Sequence, residues 1–367
     1  MSDRTPTPTE IAEAWHGLRP AMIRERPPEL SRDEWAYLIQ FVDTSCLRGF
    51  IGPGRGRERV TLVLPGNVSL LGPLLMIVAT LSARVIRVKL SSRSDDVVEP
   101  VLAFARRHGG PRLREVLAGV ESARLTRDDP RLAAWLADAD VRVAFGTDAA
   151  MAAIAQAPHR ASSRFLGFGD MTSEAWLAPD ASDDVIDTLI KVFAIYGAQG
   201  CTSPRRAVVL DGTPSDLRTL RSRLCARWPS VIRTPVPMHL ASQNLLHAQL
   251  ARHAGFDVAL APGHAAVLAK LTKLTPSPEE EGTVSTLSTL AQGPLTMTMA
   301  AVALDDAVAA LPPNIQTIGL GFSADGAARA RAALRGSPAR RVVELARMHH
   351  FEPVWDGHHL PAVFFDA

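Results

Sequence analysis

Cys201 is the residue whose local sequence points most clearly to chemistry. It lies in the segment Tyr196-Gly-Ala-Gln-Gly-Cys-Thr-Ser-Pro204, between a helix pattern and a strand pattern. Most free cysteines are buried and inert, because the thiol packs as a small apolar group. A turn of small residues instead exposes a thiol to a cleft, where its thiolate can act as a nucleophile. We therefore take Cys201 as the candidate catalytic residue.

Asn67 lies in a second segment that can carry chemistry. The segment Leu64-Pro-Gly-Asn-Val-Ser69 follows an apolar strand pattern and precedes an apolar helix pattern. Open α/β sheets bind ligands at the carboxyl ends of their strands, and an amide there can donate a hydrogen bond to a developing oxyanion. Asn67 can equally serve as a turn residue or helix cap, which is the commoner role of asparagine in such a turn.

A basic, hydroxyl-rich segment follows the next predicted strand. Its side chains are those of Arg87, Lys89, Ser91, Ser92 and Arg93. Such groups can bind a nucleotide ribose, and arginine accommodates a 2′-phosphate where an acid would bind the free hydroxyl. The first acid is Asp95. The segment therefore indicates either a site for a phosphorylated dinucleotide or a plain basic loop.

Gly146 and Thr147 end another predicted strand, within Phe145-Gly-Thr-Asp148. A helix pattern follows, and the first amides of a helix can bind a phosphate. A glycine in this position is common in any α/β fold. The chain has no G-x-G-x-x-G motif in a strand-to-helix turn, so the standard dinucleotide fingerprint is missing.

Two other catalytic chemistries are disfavoured. The pairs His349-His350 and His358-His359 have no carboxylate or thiol at ligand spacing, and adjacent histidines on an extended segment point to opposite faces. We therefore predict no metal. A serine hydrolase is also disfavoured, because the chain lacks a G-x-S-x-G motif.

The composition and length of the chain bear on its domain number, its partners and its cellular location. The chain has 367 residues, enough for two lobes, and its net charge of +2 argues against a nucleic-acid partner. The three cysteines form no C-x-x-C pattern and the amino terminus lacks the apolar core of a signal peptide, so we expect a reducing, cytoplasmic location. The most apolar window, residues 70–81, is too short to cross a membrane.

Short strand patterns alternate with longer helix patterns along the chain. Predicted strands include residues 60–64, 85–89, 141–145, 207–210 and 315–322, and predicted helices include residues 70–83, 148–156, 180–195, 214–228 and 324–334. This alternation is typical of βαβ units. We therefore predict an α/β fold with parallel sheets covered by helices.

Taken in order, these segments resemble the aldehyde dehydrogenase superfamily, and most closely its LuxC-like branch of acyl-CoA reductases, the fatty-acid reductases. The matching segments are Pro65-Gly-Asn67, Lys89 with Ser91-Ser92, Phe145-Gly-Thr147, Gln199-Gly-Cys-Thr-Ser-Pro204, Ile315-Gln-Thr-Ile318 and Val354-Trp-Asp-Gly357. The resemblance runs from about residue 50 to the end of the chain.

The resemblance implies a reaction and a site. Cys201 would take an acyl group from an acyl-CoA or acyl-carrier-protein thioester, and hydride from a nicotinamide cofactor would release it as an aldehyde. Asn67 and the backbone N–H of Cys201 would form the oxyanion hole. The remaining site residues implied are cofactor-binding: Lys89, Ser91, Ser92 and Arg93 at the ribose, and Gly146 and Thr147 near the pyrophosphate. Many NAD-preferring relatives have glutamate at the position of Ser92, so NADPH is favoured and NADH remains possible.

One departure from the family pattern bears on the reaction. Hydrolytic aldehyde dehydrogenases use a glutamate to activate water, and Gly167 occupies that position here. A base must lie within hydrogen-bond reach of its water, so a reductase is favoured over an oxidising enzyme unless Asp170 or Glu174 substitutes. An acyl-phosphate reductase and a non-catalytic binding protein on the same fold are the alternatives.

The resemblance also implies an aldehyde-dehydrogenase-like architecture, with two α/β lobes, parallel-rich sheets and the active site in the crevice between them. We expect a helical lead at residues 1–50, a nucleotide-binding lobe at 51–170 and a catalytic lobe at 171–322. A segment at 323–367 would return to the nucleotide-binding lobe. Relatives are commonly oligomers, so a homodimer is the expected assembly.

Overall fold

The computed structural model describes residues 5–91, 97–198, 200–271 and 295–366. The chain divides into two compact units. The first is Met1–Asp170 together with Phe351–Ala367, and the second is Met171–His350. Each unit is an α/β body built around its own sheet.

The first unit contains a five-stranded parallel sheet in the order β3-β2-β1-β4-β5. Its elements up to residue 168 are α1 (Pro8–His16), α2 (Arg19–Arg24), α3 (Arg32–Phe41), α4 (Thr44–Arg48), β1 (Arg59–Val63), α5 (Leu71–Thr80), β2 (Val85–Leu90), α6 (Val98–His108), α7 (Pro111–Ala118), β3 (Val120–Arg124), α8 (Pro130–Asp138), β4 (Val141–Phe145), α9 (Asp148–Gln156) and β5 (Arg164–Phe168).

Helix α5 accounts for the most apolar window of the sequence. All ten of its residues are buried. Trp15 of α1 donates a hydrogen bond from its indole N–H to the Thr80 hydroxyl at 2.8 Å, which satisfies the polar end of the helix. The window therefore forms a core helix that is covered on all sides. Across the described residues, every helix is too short or too polar to cross a membrane.

The second unit contains a seven-stranded sheet in the order β12-β11-β6-β7-β10-β9-β8, parallel except for the β8–β9 pair. Its elements are β6 (Thr172–Leu177), α10 (Asp183–Ala194), β7 (Pro204–Leu210), α11 (Pro214–Val231), α12 (Met238–His253), β8 (Val258–Leu260), β9 (Val267–Lys270), β10 (Thr296–Val302), α13 (Leu304–Ala309), β11 (Ile315–Gly321), α14 (Ala324–Ala333) and β12 (Arg341–Glu344). In the described part of this unit, short 3-10 helices also occur at Pro262–His264 and Leu345–Arg347.

The end of the chain packs within the first unit. Its elements are β13 (Val354–Trp355), β14 (His358–His359) and α15 (Leu360–Phe364). The Arg57 N–H donates to the Phe364 carbonyl at 3.0 Å, and Gly56 pairs with Phe365 in an isolated bridge. The division between the units falls after His350 and not after residue 322, because β12 pairs with β11 in the second sheet.

Candidate active site

Cys201 lies in the turn between α10 and β7. Helix α10 ends at Ala194, and Gly197 and Ala198 both adopt the left-handed conformation with φ of 58°. That conformation costs glycine little but strains alanine, and Ala198 is also fully buried. The surrounding structure therefore fixes the backbone at Ala198. The side chain of Cys201 is half-buried.

Ser173 of β6 holds the Cys201 turn from the side of the sheet. Its hydroxyl donates to the Cys201 carbonyl at 2.6 Å and accepts from the Thr317 N–H of β11 at 3.3 Å. Ser173 is fully buried and pairs in register with Pro204, the first residue of β7. Cys201 is thereby fixed at the amino-terminal edge of the seven-stranded sheet.

Thr202 and His349 hold the other side of the turn. The Thr202 hydroxyl lies 2.7 Å from Nδ1 of His349, and Nε2 of the same ring lies 2.6 Å from the Val192 carbonyl in α10. Burial lowers the pKa of His349 to about 4, so the imidazole is neutral at pH 7. Because both nitrogens have partners, His349 is not available as a base for the thiol.

Two carboxylates that could replace the missing glutamate have other partners. Glu174 is buried in β6, where it forms an ion pair with Arg206 at 2.5 Å and accepts a hydrogen bond from the Trp176 indole at 2.9 Å. Asp170 and Asp148 each approach the other's backbone N–H, at 3.4 and 3.0 Å. Glu174 is thus held in a buried ion pair, and the exposed Asp170 carboxylate accepts a hydrogen bond at the start of α9.

Gly167 could not accept a larger side chain without movement of its neighbours. A Cβ atom there would lie 2.8 Å from the Phe165 ring and 3.2 Å from the Met151 sulfur. A side chain at this position would therefore require the ends of the Phe165 and Met151 side chains to shift. The small residue fits the packing between β5 and α9.

The candidate residues of the first unit lie at the carboxyl edge of its sheet. Val63 near the end of β1 pairs with Lys89 of β2 on one side and Ala144 of β4 on the other. The strand order reverses between β1 and β4, and this switch point is where open α/β sheets bind ligands. The candidates at this edge are Asn67, Lys89, Ser91, Gly146 and Thr147. Ser92 and Arg93 lie outside the described residues.

The positive groups near β2 differ in what they can bind. Lys89 is half-buried, and burial lowers the pKa of its ammonium group. Arg87 lies further back in the strand and donates to the Asp138 carboxylate at 3.1 Å, so the expectation that it helps to bind a 2′-phosphate is not supported. Arg124, at the end of β3, donates to the Ser91 carbonyl at 2.6 Å. Arg124 thus brings a cation to the end of β2, and the sequence pattern did not single it out.

The amino terminus of α9 is already capped. The Thr147 hydroxyl accepts from the Ala150 N–H at 3.3 Å, and the carboxylates of Asp148 and Asp170 lie at the same turn. Carboxylates compete with a phosphate for helix amides and repel its charge. The first amides of α9 are therefore a poor phosphate site, although the backbone of Gly146 remains exposed.

Histidine, cysteine and acidic side chains form no group of three or more suited to a metal ion within the part of the chain that the structure describes. The histidines of the two pairs have other contacts. His349 binds Thr202, and His358 packs edge-on against Phe168 with ring centroids 5.8 Å apart. The structure gives these residues roles in packing and hydrogen bonding.

Comparison with known proteins identifies a family. A family model described as "Acyl-CoA reductase (LuxC)" matches residues 53–361. The curated proteins gave no match in the corresponding search. The family match covers most of the chain and includes each of the candidate residues above, so the predicted resemblance is confirmed.

Solved structures with the same fold are aldehyde dehydrogenases. An NAD-dependent aldehyde dehydrogenase from Sinorhizobium meliloti has a TM-score of 0.69 at 13% identity, covering 95% of this chain and 76% of that one. Methylmalonate-semialdehyde dehydrogenase from Oceanimonas doudoroffii has a TM-score of 0.68 at 14% identity, covering 94% and 78%. Betaine aldehyde dehydrogenase from Staphylococcus aureus, in complex with NAD+, has a TM-score of 0.67 at 11% identity, covering 95% and 77%. These similarities confirm the predicted α/β, aldehyde-dehydrogenase-like fold.

Proposed function

The chain belongs to the LuxC family of acyl-CoA reductases, and from that premise we propose that it reduces an acyl thioester to an aldehyde through a covalent acyl-enzyme on Cys201. The family and fold make it an oxidoreductase with acyl reductase activity. The observation that carries the finer proposal is the fixed turn of Cys201, which is held by a hydrogen bond from Ser173 to the Cys201 carbonyl and by another between Thr202 and His349.

The proposed reaction has two stages at Cys201. The thiolate attacks the thioester carbonyl, a new C–S bond forms, and the thiol of coenzyme A or of a carrier protein leaves. We propose that the amide of Asn67 and the Cys201 N–H stabilise the developing oxyanion, as the family resemblance implies. A nicotinamide cofactor, NADPH in this proposal, would supply the hydride that reduces the acyl carbon. The C–S bond to Cys201 then breaks, which releases the aldehyde and restores the thiolate.

A dinucleotide fits part of the first unit. Lys89 and Ser91, at the carboxyl end of β2, would hold the adenosine ribose, and the Arg124 guanidinium beside Ser91 would bind a 2′-phosphate. The segment from β2 to Asp95 contains no other acidic residue that could bind a free 2′-hydroxyl. This observation and the Arg124 cation both support NADPH over NADH. The capped end of α9 argues that the pyrophosphate would meet the Gly146 backbone instead of the helix amides. Ser92 and Arg93 remain family-based members of the proposed site.

The carboxylates support reduction over oxidation. Hydrolysis of the acyl-enzyme needs a base that activates water, and Glu174 is instead paired with Arg206. The Asp170 carboxylate accepts a hydrogen bond from the Asp148 N–H at the α9 turn, at 3.4 Å. With the cofactor bound, we therefore expect the acyl-enzyme on Cys201 to be reduced by hydride faster than it is hydrolysed.

The test is turnover and covalent labelling of the full chain. Acyl-CoA substrates of several lengths are mixed with NADPH or NADH, with absorbance at 340 nm and aldehyde formation as readouts. Without reductant, intact-protein mass spectrometry should show one acyl adduct, which Cys201→Ser abolishes and Cys225→Ser retains. An adduct on wild type that persists in Cys201→Ser would overturn the nucleophile assignment. If none of the acyl-CoA substrates caused NADPH oxidation or a change in protein mass, the proposed function would be overturned.

A further inference from the structure

His349 bridges two parts of the Cys201 turn that are separated in the chain. A carbonyl oxygen can only accept, so the 2.6 Å contact with Val192 requires Nε2 of His349 to carry the proton. Nδ1 is then an acceptor, and the Thr202 hydroxyl must donate to it at 2.7 Å. The two contacts therefore define one tautomer and one direction for each hydrogen bond.

The Val192 carbonyl is one of the last in α10, which ends at Ala194. Carbonyls in the last turn of a helix lack partners within the helix and need a donor from elsewhere. His349 supplies that donor for Val192, and through its other nitrogen it holds the residue that follows Cys201. The ring thus joins the end of α10 to the start of β7 across the turn that carries the thiol.

Arg341 holds the backbone on which His349 is presented. Its guanidinium donates to the carbonyls of Arg347, Met348 and His350 at 3.1, 2.9 and 2.9 Å. Arg341 is buried, so these hydrogen bonds are protected from water. The Tyr196 ring packs edge-on against the imidazole, with centroids 5.1 Å apart. Several contacts therefore fix the position of His349, in addition to its hydrogen bond with the Thr202 hydroxyl.

We propose that His349 is a positioning residue for Cys201, which acts by accepting the Thr202 hydroxyl while it donates to the Val192 carbonyl. The inference rests on the proposed function for its catalytic consequence. The attachment of the Cys201 turn by His349 is supported by contacts within the second unit and does not depend on that function. The two ring nitrogens of His349 contact Thr202 and Val192, so we infer that its effect on Cys201 passes through Thr202.

Two substitutions of His349 separate its two hydrogen bonds. In His349→Asn the amide oxygen takes the place of Nδ1 and can still accept from Thr202. In His349→Gln the amide nitrogen takes the place of Nε2 and can donate to Val192, but the acceptor for Thr202 is gone. Thr202→Val removes the same hydrogen bond from the other side with little change of shape. Asn244→Ala is the matched control, because it removes a buried hydrogen bond to the His264 carbonyl in the same unit.

The first readout is amide hydrogen exchange of a segment containing residues 200–203, which needs no enzyme activity. We expect about 3- to 10-fold faster exchange in His349→Gln and Thr202→Val, the effect of one lost hydrogen bond at the residue after Cys201. His349→Asn, which keeps the Thr202 hydrogen bond and loses the one to Val192, should show a smaller increase, and Asn244→Ala should exchange as wild type. The second readout is turnover, where the first two variants should lower kcat by about the same factor with KM unchanged. The double variant with His349→Gln and Thr202→Val should have the same kcat as either single variant, because both substitutions remove the same hydrogen bond.

The outcomes separate this inference from the proposed function. Wild-type exchange and kcat in both His349→Gln and Thr202→Val would overturn the positioning role. Equal losses in His349→Asn and His349→Gln would also overturn it, because the role requires rescue by the retained acceptor. If a His349 variant fails to fold, Thr202→Val decides alone. If wild type forms no acyl adduct, the proposed function fails while hydrogen exchange still reports on the attachment of the turn.

Discussion

At Cys201 the reactive group is local in sequence but its supports are not. Ser173 and His349 lie 28 and 148 positions away, and both reach the turn through hydrogen bonds, directly or through Thr202. A thiol in an α/β protein gains reactivity from a fixed orientation as well as from its pKa. Residues distant in sequence therefore hold the turn that carries the thiol.

Asn67 provides a test of the proposed oxyanion hole. We expect Asn67→Ala to lower kcat by about 10²- to 10³-fold with little change in KM, because an oxyanion donor acts mainly in the transition state. Asn67→Asp should be no better, since it keeps the shape but loses the donor. Asn67 is exposed, so thermal unfolding should be unchanged and serves as the folding control. A kcat within about threefold of wild type would assign Asn67 to the turn alone.

Arg124 provides a test of cofactor choice. We expect Arg124→Ala to reduce the preference for NADPH over NADH, measured as the ratio of kcat/KM values, by about tenfold or more, because one charge-assisted hydrogen bond to a phosphate is lost. Activity with NADH should change little. Arg112→Ala is a control in the same unit, since its guanidinium pairs with Glu10 instead. An unchanged ratio would remove Arg124 from the site.

The sequence could identify residues whose type and local context both indicate chemistry. Cys201 and Asn67 stand in turns after recognisable elements, and the family pattern gave them roles. Ser173 and Arg124 have no such context, because each acts through a backbone carbonyl that only the folded sheet brings near. His349 was considered only as half of a histidine pair, and its partner Thr202 is distant in sequence. Contacts of this kind depend on tertiary structure.

At the scale of elements, strands with uniform apolar patterns were predictable and polar ones were not. Strands β1, β2, β4 and β11 match predicted segments closely. The strand β6, with the sequence Thr-Ser-Glu-Ala-Trp-Leu, was missed although it lies inside the sheet. Ser173 and Glu174 of this strand are buried and bind specific partners. Because they are polar, the strand has no hydrophobic pattern from which it could be predicted.

Glu174 provides a test at the β6–β7 pair. We expect Glu174→Gln to lower the free energy of unfolding of the chain by about 3 kcal/mol, because it removes the negative charge from a largely buried ion pair with Arg206. Urea unfolding measures this, with the exposed Glu344→Gln as control, expected within about 0.5 kcal/mol. The ratio of aldehyde to acid product should stay unchanged in the folded variant. A selective loss of acid product would make Glu174 a water-activating base after all.

At the scale of the molecule, the two units were predictable because length and the βα rhythm require more than one sheet. The boundary near residue 170 was expected and the structure divides the chain at Asp170, but the expected boundary at 322 differs from the division after His350. Residues 323–350 continue the βα rhythm, and only strand pairing shows that β12 joins the second sheet. This placement is what brings His349 into the same unit as Cys201.

The stability of the whole chain should depend on the protonation of His349. Its pKa is about 4 in the folded chain and 6.5 without burial, so the unfolded chain binds a proton between these values that the folded chain does not. The free energy of unfolding should therefore be fully retained above about pH 6.5 and fall as the pH decreases toward 4, by up to about 3 kcal/mol in total. The nearby Arg341 and His350 disfavour protonation further.

The measurement is urea unfolding of wild type and His349→Asn at several pH values from 7 to 4. Asparagine does not titrate, so the difference in slope between the two proteins isolates the histidine from all other groups. The variant should be less stable than wild type at pH 7 and lose less stability on acidification, so that the two curves converge. Parallel curves over the whole range would mean that His349 is protonated as easily in the folded chain as in the unfolded one, against the expected effect of burial on its pKa.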